Sequence, residues 1–256
     1  MLRKKRRVLV SVRSVDEARV AIACGVDFLD LKEPSRGPLG ACDSGVIGEI
    51  AELAGQDFVL TVALGELLEC QDGQFAGRLP EKISLFKFGL AGCRRRSDWR
   101  EIWAGLTQRI VEATGGASEP VLVAYVDSEA ADSPALGDLF AFGIETGVRS
   151  LLIDTYQKDG RSLFDHMEQF KLQHWMSLAM EHGMTLAVAG SLKLEELGYF
   201  DELSGDVIVG MRSGVCESGR RDGVLSEDRV LKLVRWAHDA SGMKRQVEAV
   251  THVVEN

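Results

Sequence analysis

Long apolar runs are missing from this chain. No stretch of its 256 residues approaches the ~18 consecutive apolar residues that a membrane span requires, so a transmembrane protein is excluded. Paired cysteines are missing too. The five present, Cys24, Cys42, Cys70, Cys93 and Cys216, are odd in number and form no C-x-x-C pair. That argues against a disulfide framework or a zinc knuckle and points to the reducing cytoplasm. Basic charge is in short supply, with 30 Lys and Arg against 39 Asp and Glu, a net charge of −9. A surface that repels phosphates gains nothing from counterion release, so a broad nucleic-acid footprint is excluded and small molecules are the expected partners. The sequence contains neither a G-x-S-x-G elbow nor a G-x-G-x-x-G loop, which removes support for hydrolase and dinucleotide readings. His166, His174 and His182 fall eight residues apart, not on one helical turn, so no metal is expected, and no other cofactor.

What is present is an ordinary globular composition, 45% hydrophobic and 27% charged, which excludes a disordered chain. The basic start, Met1 to Arg7, is followed by an apolar run of only Val8 to Val10 before Ser11 and Arg13 interrupt it. It therefore reads as an exposed tail over residues 1–7, leaving 8–256 as one domain. Within that domain short segments rich in Val, Ile, Leu and Phe alternate with longer amphipathic ones. The strand candidates are Val8–Val12, Phe28–Lys32, Phe58–Ala63, Leu85–Phe88, Val121–Val126, Leu151–Asp154, Thr185–Ala189 and Val207–Val209. Helical segments such as Val15–Cys24, Trp99–Ala113 and Leu163–Glu181 lie between them. Eight strands alternating with helices in about 250 residues predict a single-domain α/β fold, the (β/α)8 TIM barrel. Ser14-Val15-Asp16-Glu17 has capping-box spacing, and Gly25 and Gly183 stand where left-handed C-caps end helices. The irregular stretches Glu69–Pro80 and Ser128–Ala135 follow strands 3 and 5, which places them over the C-terminal mouth as lids or subunit contacts. With the acidic surface, they make a homo-oligomer the expected assembly.

Strand alternation then sorts the charged residues. In Asp27-Phe28-Leu29-Asp30-Leu31-Lys32 the apolar pair Leu29 and Leu31 faces the helices, so Asp30 and Lys32 point into the barrel at its C-terminal end. In Leu85-Phe86-Lys87-Phe88 the two phenylalanines turn outward and Lys87 turns inward. Strand 6 ends in Asp154, and Lys158, four residues later on a turn closed by Gly160, reaches back over the mouth. Three lysines and two aspartates in one cavity suggest amine chemistry, because crowded ammonium groups and desolvation lower a lysine pKa and supply a neutral nucleophile. The carboxylates can hold the other lysines protonated or move protons. The turns Ala189-Gly190-Ser191-Leu192 and Gly210-Met211-Arg212-Ser213-Gly214 end the seventh and eighth strands, where barrels commonly bind phosphate through backbone N–H groups. Gly190, Ser191, Gly210, Met211, Arg212 and Ser213 are therefore the phosphate candidates, with Arg212 expected to add a bidentate contact. Residue reasoning alone leads to a Schiff-base or phosphosugar enzyme with a phosphorylated small-molecule substrate.

The run Asp-Phe-Leu-Asp-Leu-Lys-Glu-Pro-Ser-Arg-Gly-Pro-Leu-Gly-Ala over 27–41 resembles the (5-formylfuran-3-yl)methyl phosphate synthase family of methanofuran biosynthesis. The resemblance continues through Lys87-Phe88-Gly89-Leu90, Asp154-Thr155-Tyr156-Gln157-Lys158-Asp159-Gly160 and Ala189-Gly190-Ser191-Leu192. The strand 8 turn departs from the family's usual Arg-Gly-Ala, and Glu66 stands where Asp is usual. The resemblance implies a class I aldolase-like lyase that condenses two triose phosphates to a furan aldehyde phosphate with loss of phosphate and water. It further implies that Lys32 forms the imine, with Asp30, Lys87, Asp154 and Lys158 in supporting roles. Another lysine-dependent phosphosugar aldolase or isomerase, and a non-catalytic barrel that binds a phosphometabolite, remain the alternatives.

Overall fold

The computed structural model describes residues 5–55, 58–70 and 79–241. Eight strands, β1 (Arg6–Val12), β2 (Phe28–Leu31), β3 (Val59–Glu66), β4 (Ile83–Gly89), β5 (Glu119–Tyr125), β6 (Ser150–Asp154), β7 (Thr185–Val188) and β8 (Val207–Met211), pair in parallel and in chain order. β8 returns to β1 and closes the barrel. The α-helices are α1 (Val15–Ala23), α2 (Ser44–Ala54), α3 (Trp99–Ala113), α4 (Ser128–Ala131), α5 (Leu136–Thr146), α6 (Gln169–Glu181), α7 (Leu197–Asp201) and α8 (Glu227–Ser241). Among the described residues the β3–β4 connection holds only a 3-10 turn, Leu67–Glu69. No helix among them is long and apolar enough to cross a membrane.

A parallel sheet is buried on both faces, and that separates two layers of apolar side chains. Val8, Val10, Val12, Leu29, Leu31, Phe86 and Phe88 belong to the larger cluster between sheet and helices. Ala63, Val121, Val123, Tyr125 and Leu152 form a smaller one inside the barrel, capped by Leu39 from the β2 loop. The interior is filled unevenly. Tyr125, Leu152 and Leu39 are large and occupy the β5 side, whereas Ser11, Ala187, Ala189 and Gly210 are small and leave a cavity of about 740 Å³ at the C-terminal mouth. Gly210 has little room to spare, since a Cβ there would stand 3.3 Å from Ala189 Cβ.

The strands differ from the sequence expectation at their ends. Arg6 and Arg7, assigned above to the tail, begin β1, because Arg6 is covered: its guanidinium lies 4.7 Å from the Trp236 ring centroid and 2.9 Å from the Asp201 carboxylate. The segment Leu163–Glu181 is not one helix. Ser162 and Asp165 cap each other across a 3-10 turn over Leu163–Asp165, and α6 starts anew at Gln169. Gly25 and Gly183 do carry the positive φ of C-caps. Of the two proposed mouth loops, Glu69–Pro80 falls mostly on 71–78, outside the described residues. Ser128–Ala135 contains α4 and is tied to the β4 loop, with Ala131 and Asp132 carbonyls accepting from Gly92 and Arg94 N–H.

β3 carries an irregularity between Ala63 and Glu66 that turns Glu66 toward the β4 end, where Gly89 leaves room for its carboxylate. A Cβ on Gly89 would overlap the Glu66 carboxylate. Gly89→Ala is therefore expected to lower stability by roughly 1–3 kcal/mol through overpacking. Urea unfolding of Gly89→Ala, Glu66→Ala and the double variant checks it, with non-additive losses expected because the two sites touch.

Candidate active site

Asp30, on β2, accepts from three side chains of the mouth. Its register neighbours are Ser11 on β1 and Thr61 on β3. Both hydroxyls donate to its carboxylate, at 2.9 Å and 2.8 Å. Lys87 of β4 adds an ion pair with Asp30 and donates to Thr61 Oγ1 at 2.7 Å. Burial alone would raise the Asp30 pKa, but the Lys87 and Lys32 charges and these hydrogen bonds outweigh it and hold the carboxyl below its ordinary range. Asp154, at the end of β6, repeats the arrangement. Lys158 Nζ donates to it at 2.8 Å and to Thr155 Oγ1 at 3.0 Å, and the Thr155 N–H donates to it at 2.7 Å. Its carboxyl is held low as well, with Lys158 and Lys32 overcoming burial. The loop carrying Lys158 is pinned by Asp127, whose carboxylate accepts the N–H groups of Tyr156 and Gln157.

Burial pulls the Lys87 and Lys158 ammonium groups down, and the nearby Lys32 charge adds to it. Acids and amines shift in the same direction because three lysine charges face two carboxylates, while burial further penalises the ammonium form. Lys32 follows β2, its N–H donating to Val12 O at 3.0 Å, and is 8% exposed. Unlike Lys87 and Lys158, its amine has no hydrogen bond or ion pair among the described residues, and it faces the cavity. Lys32, Lys87, Lys158, Asp30 and Asp154 thus line a single cavity.

The turns after β7 and β8 border the same cavity, which Gly190, Ser191, Gly210, Met211, Arg212 and Ser213 all line. The N–H groups of Gly190, Ser191, Ser213 and Gly214 have no acceptor among the described residues. Ser191 has φ +49, a left-handed conformation that costs a non-glycine residue, and it follows Gly190 at φ +110. The Arg212 side chain departs from expectation. Its Nε donates to Arg221 O, Nη1 to Ser11 O and Glu17 Oε2, and Nη2 to Glu17 Oε1 and Gly223 O. All five donors of a guanidinium are consumed, so none is left for a bidentate phosphate contact. Glu17, part of the capping-box spacing, is that partner. Its carboxylate serves Arg212 and the Arg13 N–H, while its own N–H takes the Ser14 hydroxyl as acceptor.

A half-buried carboxylate lies outside the cavity lining. Glu66 accepts from Tyr125 OH at 2.7 Å and Ala91 N–H at 2.9 Å. Burial raises its pKa despite these bonds, and that of Tyr125 rises well above its ordinary value. Sequence reasoning missed Ser11, Thr61, Asp127 and Arg221. Inward alternation on β1 and β3 carried a signal for the first two. Asp127 and Arg221 sit on loops where no periodicity marks direction.

A single-domain (β/α)8 barrel with a buried lysine–carboxylate centre at its C-terminal mouth is the class that fold and site define. Solved structures of the same architecture include phosphoribosyl anthranilate isomerase from Thermus thermophilus, with TM-score 0.57 and 16% identity over 91% of this chain and 98% of that one. KGPDC from Streptococcus mutans has TM-score 0.56 and 13% identity, over 93% and 99%. At these identities they speak to fold alone. Sequence goes further: the family model described as 4-HFC-P synthase matches residues 8–234, and the chain belongs to that family of enzymes. Among its relatives is (5-formylfuran-3-yl)methyl phosphate synthase of Archaeoglobus fulgidus, 33% identical across 91% of this chain and 99% of the relative. The protein of that name from Methanothermobacter thermautotrophicus is 30% identical, across 88% and 96%.

Asp30→Asn leaves the buried Lys87 without its counter-ion and is expected to cost about 3–5 kcal/mol near neutral pH. The native state favours ionised Asp30, so its contribution is complete above the unfolded value near ~3.9 and is lost as pH falls through the lower folded value. Urea unfolding at pH 7 and in acid is expected to show the gap between wild type and variant closing on acidification. Glu17→Ala is expected to be destabilising on a similar scale, about 3–5 kcal/mol, because it strands Arg212 in the same way.

Proposed function

We propose that this protein is a Schiff-base-forming carbon–oxygen lyase that condenses two molecules of glyceraldehyde 3-phosphate to 4-(hydroxymethyl)-2-furancarboxaldehyde phosphate, for a methanofuran-type carrier of one-carbon units. The observation that carries the proposal is the division of labour among the three lysines. Lys87 and Lys158 are each bound to a buried carboxylate, and Lys32 faces the cavity between them with its amine unengaged among the described residues. Family membership, the names of the relatives and the phosphate-ready turns after β7 and β8 support the same reading.

In this mechanism the neutral amine of Lys32 attacks the carbonyl carbon of one triose phosphate, and the carbinolamine loses water to give the imine. The ion pairs Asp30–Lys87 and Asp154–Lys158 move the protons: a carboxylate accepts and an ammonium donates, each within a pocket already organised around both charge states. Loss of a proton beside the imine gives an enamine carbon, which attacks the aldehyde of the second triose phosphate and forms the carbon–carbon bond. Elimination of phosphate and ring closure follow, and hydrolysis returns the Lys32 amine. The balance is one inorganic phosphate and two waters released per furan, with no external oxidant. The β7 and β8 turns hold a substrate phosphate through the free N–H groups of Gly190, Ser191, Ser213 and Gly214, with Gly210 and Met211 forming the floor beside them.

Incubation with glyceraldehyde 3-phosphate is expected to yield a furan chromophore and one phosphate per furan. Borohydride during turnover is expected to leave an adduct that peptide mapping places on Lys32. Lys32→Arg retains the charge but offers no neutral amine, and is expected to lose turnover by at least about a thousandfold while still binding phosphate. Triose phosphate consumed without phosphate release would favour an aldolase or isomerase. An adduct on Lys158 would remove Lys32 as the nucleophile. Ligand binding without any turnover would leave a metabolite-binding barrel.

A further inference from the structure

The condensation proposed above brings two phosphate dianions into one cavity, and the inference that follows rests on that reading. The β7 and β8 turns account for one of them. A second needs its own donors, and of the cations lining the cavity five are already committed, Lys32 is taken by the imine, and Lys193 is exposed at the rim. Lys87 and Lys158 are held by Asp30 and Asp154, and Arg212 has spent all five of its donors. Arg220 is exposed and paired twice with Asp222, and Arg229 is bonded to Gly214 O beside the β8 turn.

Arg221 differs from all of these. It is partly buried, it lines the cavity, and among the described residues its side chain makes one hydrogen bond, from Nη2 to Gly37 O at 2.7 Å. Its Nε and Nη1 donors have no acceptor among those residues and are open to the cavity, where a ligand can take them in place of water. The bond to Gly37 directs the side chain from the β8 loop to the β2 loop that follows Lys32. Asp154 and Lys158 line the same cavity and feel its charge. Its own pKa is pulled down by burial, with Arg212 adding to the effect against the opposing pull of Asp154, Asp222 and Glu33, none of which forms an ion pair with it among the described residues. An anion seated there would give it the direct ion pair that these carboxylates do not. A planar guanidinium with an unused edge matches a phosphate bidentately.

We infer that Arg221 anchors the phosphate of the second, non-covalently bound triose phosphate, so that the mouth holds two phosphate subsites, one built from backbone N–H groups and one from a guanidinium. The cavity, about 740 Å³, is in the range of pockets that take ligands much larger than a single three-carbon phosphate. The subsite orders the reaction. The first molecule becomes fixed to Lys32, and the second is placed by Arg221 with its aldehyde turned toward the enamine. Loss of the anchor then weakens the second binding event and leaves the first intact.

The test uses the full-length wild-type protein, Arg221→Ala and Arg221→Lys, each first shown by thermal melting to be folded. Inorganic phosphate titrated by calorimetry is expected to bind at two sites per chain in the wild type and one in Arg221→Ala. During turnover, Arg221→Ala is expected to raise the KM for glyceraldehyde 3-phosphate by about tenfold or more, to retain borohydride trapping of one triose on Lys32, and to lose the wild-type preference for glyceraldehyde 3-phosphate over unphosphorylated glyceraldehyde as second substrate. Arg221→Lys, which keeps the charge but not the fork, is expected to fall between. Unchanged stoichiometry with unchanged KM overturns the inference, and so does loss of Lys32 trapping in a folded Arg221→Ala, which would make the residue a support of the first site. A wild-type protein that makes no furan removes the condensation reading. In that event the phosphate titration still decides whether Arg221 is an anion site: one site fewer in Arg221→Ala upholds it and equal stoichiometry overturns it.

Discussion

The buried carboxylate of Asp30 is the constraint on which the rest of the mouth depends. An ionised group removed from water must be surrounded by donors, and Asp30 draws one from each neighbouring strand and a charged one from β4. The same bonds that satisfy it therefore stitch together β1, β2, β3 and β4. They also hold the Lys87 ammonium against Asp30 and Thr61. Fold and site share one set of contacts here, and a change in either is felt by the other.

Charge in this pocket is sorted by how completely each cation is satisfied. Arg212 looks like a ligand-binding arginine from its position after β8, yet Glu17 and three carbonyls absorb its fork and make it a brace between the β1 and β8 loops. Arg221, nine residues on, is held by one carbonyl. Lys87 and Lys158 are paired, and Lys32 is not among the described residues. Donor saturation separates structural from chemical roles where proximity to the cavity cannot, because a spent donor has no hydrogen left to offer a substrate.

The cavity itself follows from an uneven choice of interior residue size. Alanine, serine and glycine on β1, β7 and β8 leave space, and Tyr125, Leu152 and Leu39 fill the opposite half. From that filled half, Tyr125 donates to Glu66, a hydrogen bond that the β3 irregularity and Gly89 make possible. They support the wall without lining the cavity.

Much of this was legible in the order of residues. A period of two in Phe28-Leu29-Asp30-Leu31 and Leu85-Phe86-Lys87-Phe88 decides which side chains turn inward, since a strand can present only alternate residues to each face. Eight such segments in about 250 residues leave little room for another closed arrangement. Lys158 was within reach of Asp154 because four residues and a glycine turn bring them together. The sequence could not say that Ser11 and Thr61 would be level with Asp30, since register is set by pairing across strands far apart in the chain. It could not reveal that Glu17, 195 residues away, would take the fork of Arg212. It left Arg221 unmarked as well, because a loop has no period and its direction is decided by the carbonyl of Gly37, which only barrel closure brings near. Alternation within a strand is a local property of the backbone. Whether a given donor is spent or free depends on acceptors supplied by distant segments, and only the folded chain assembles those.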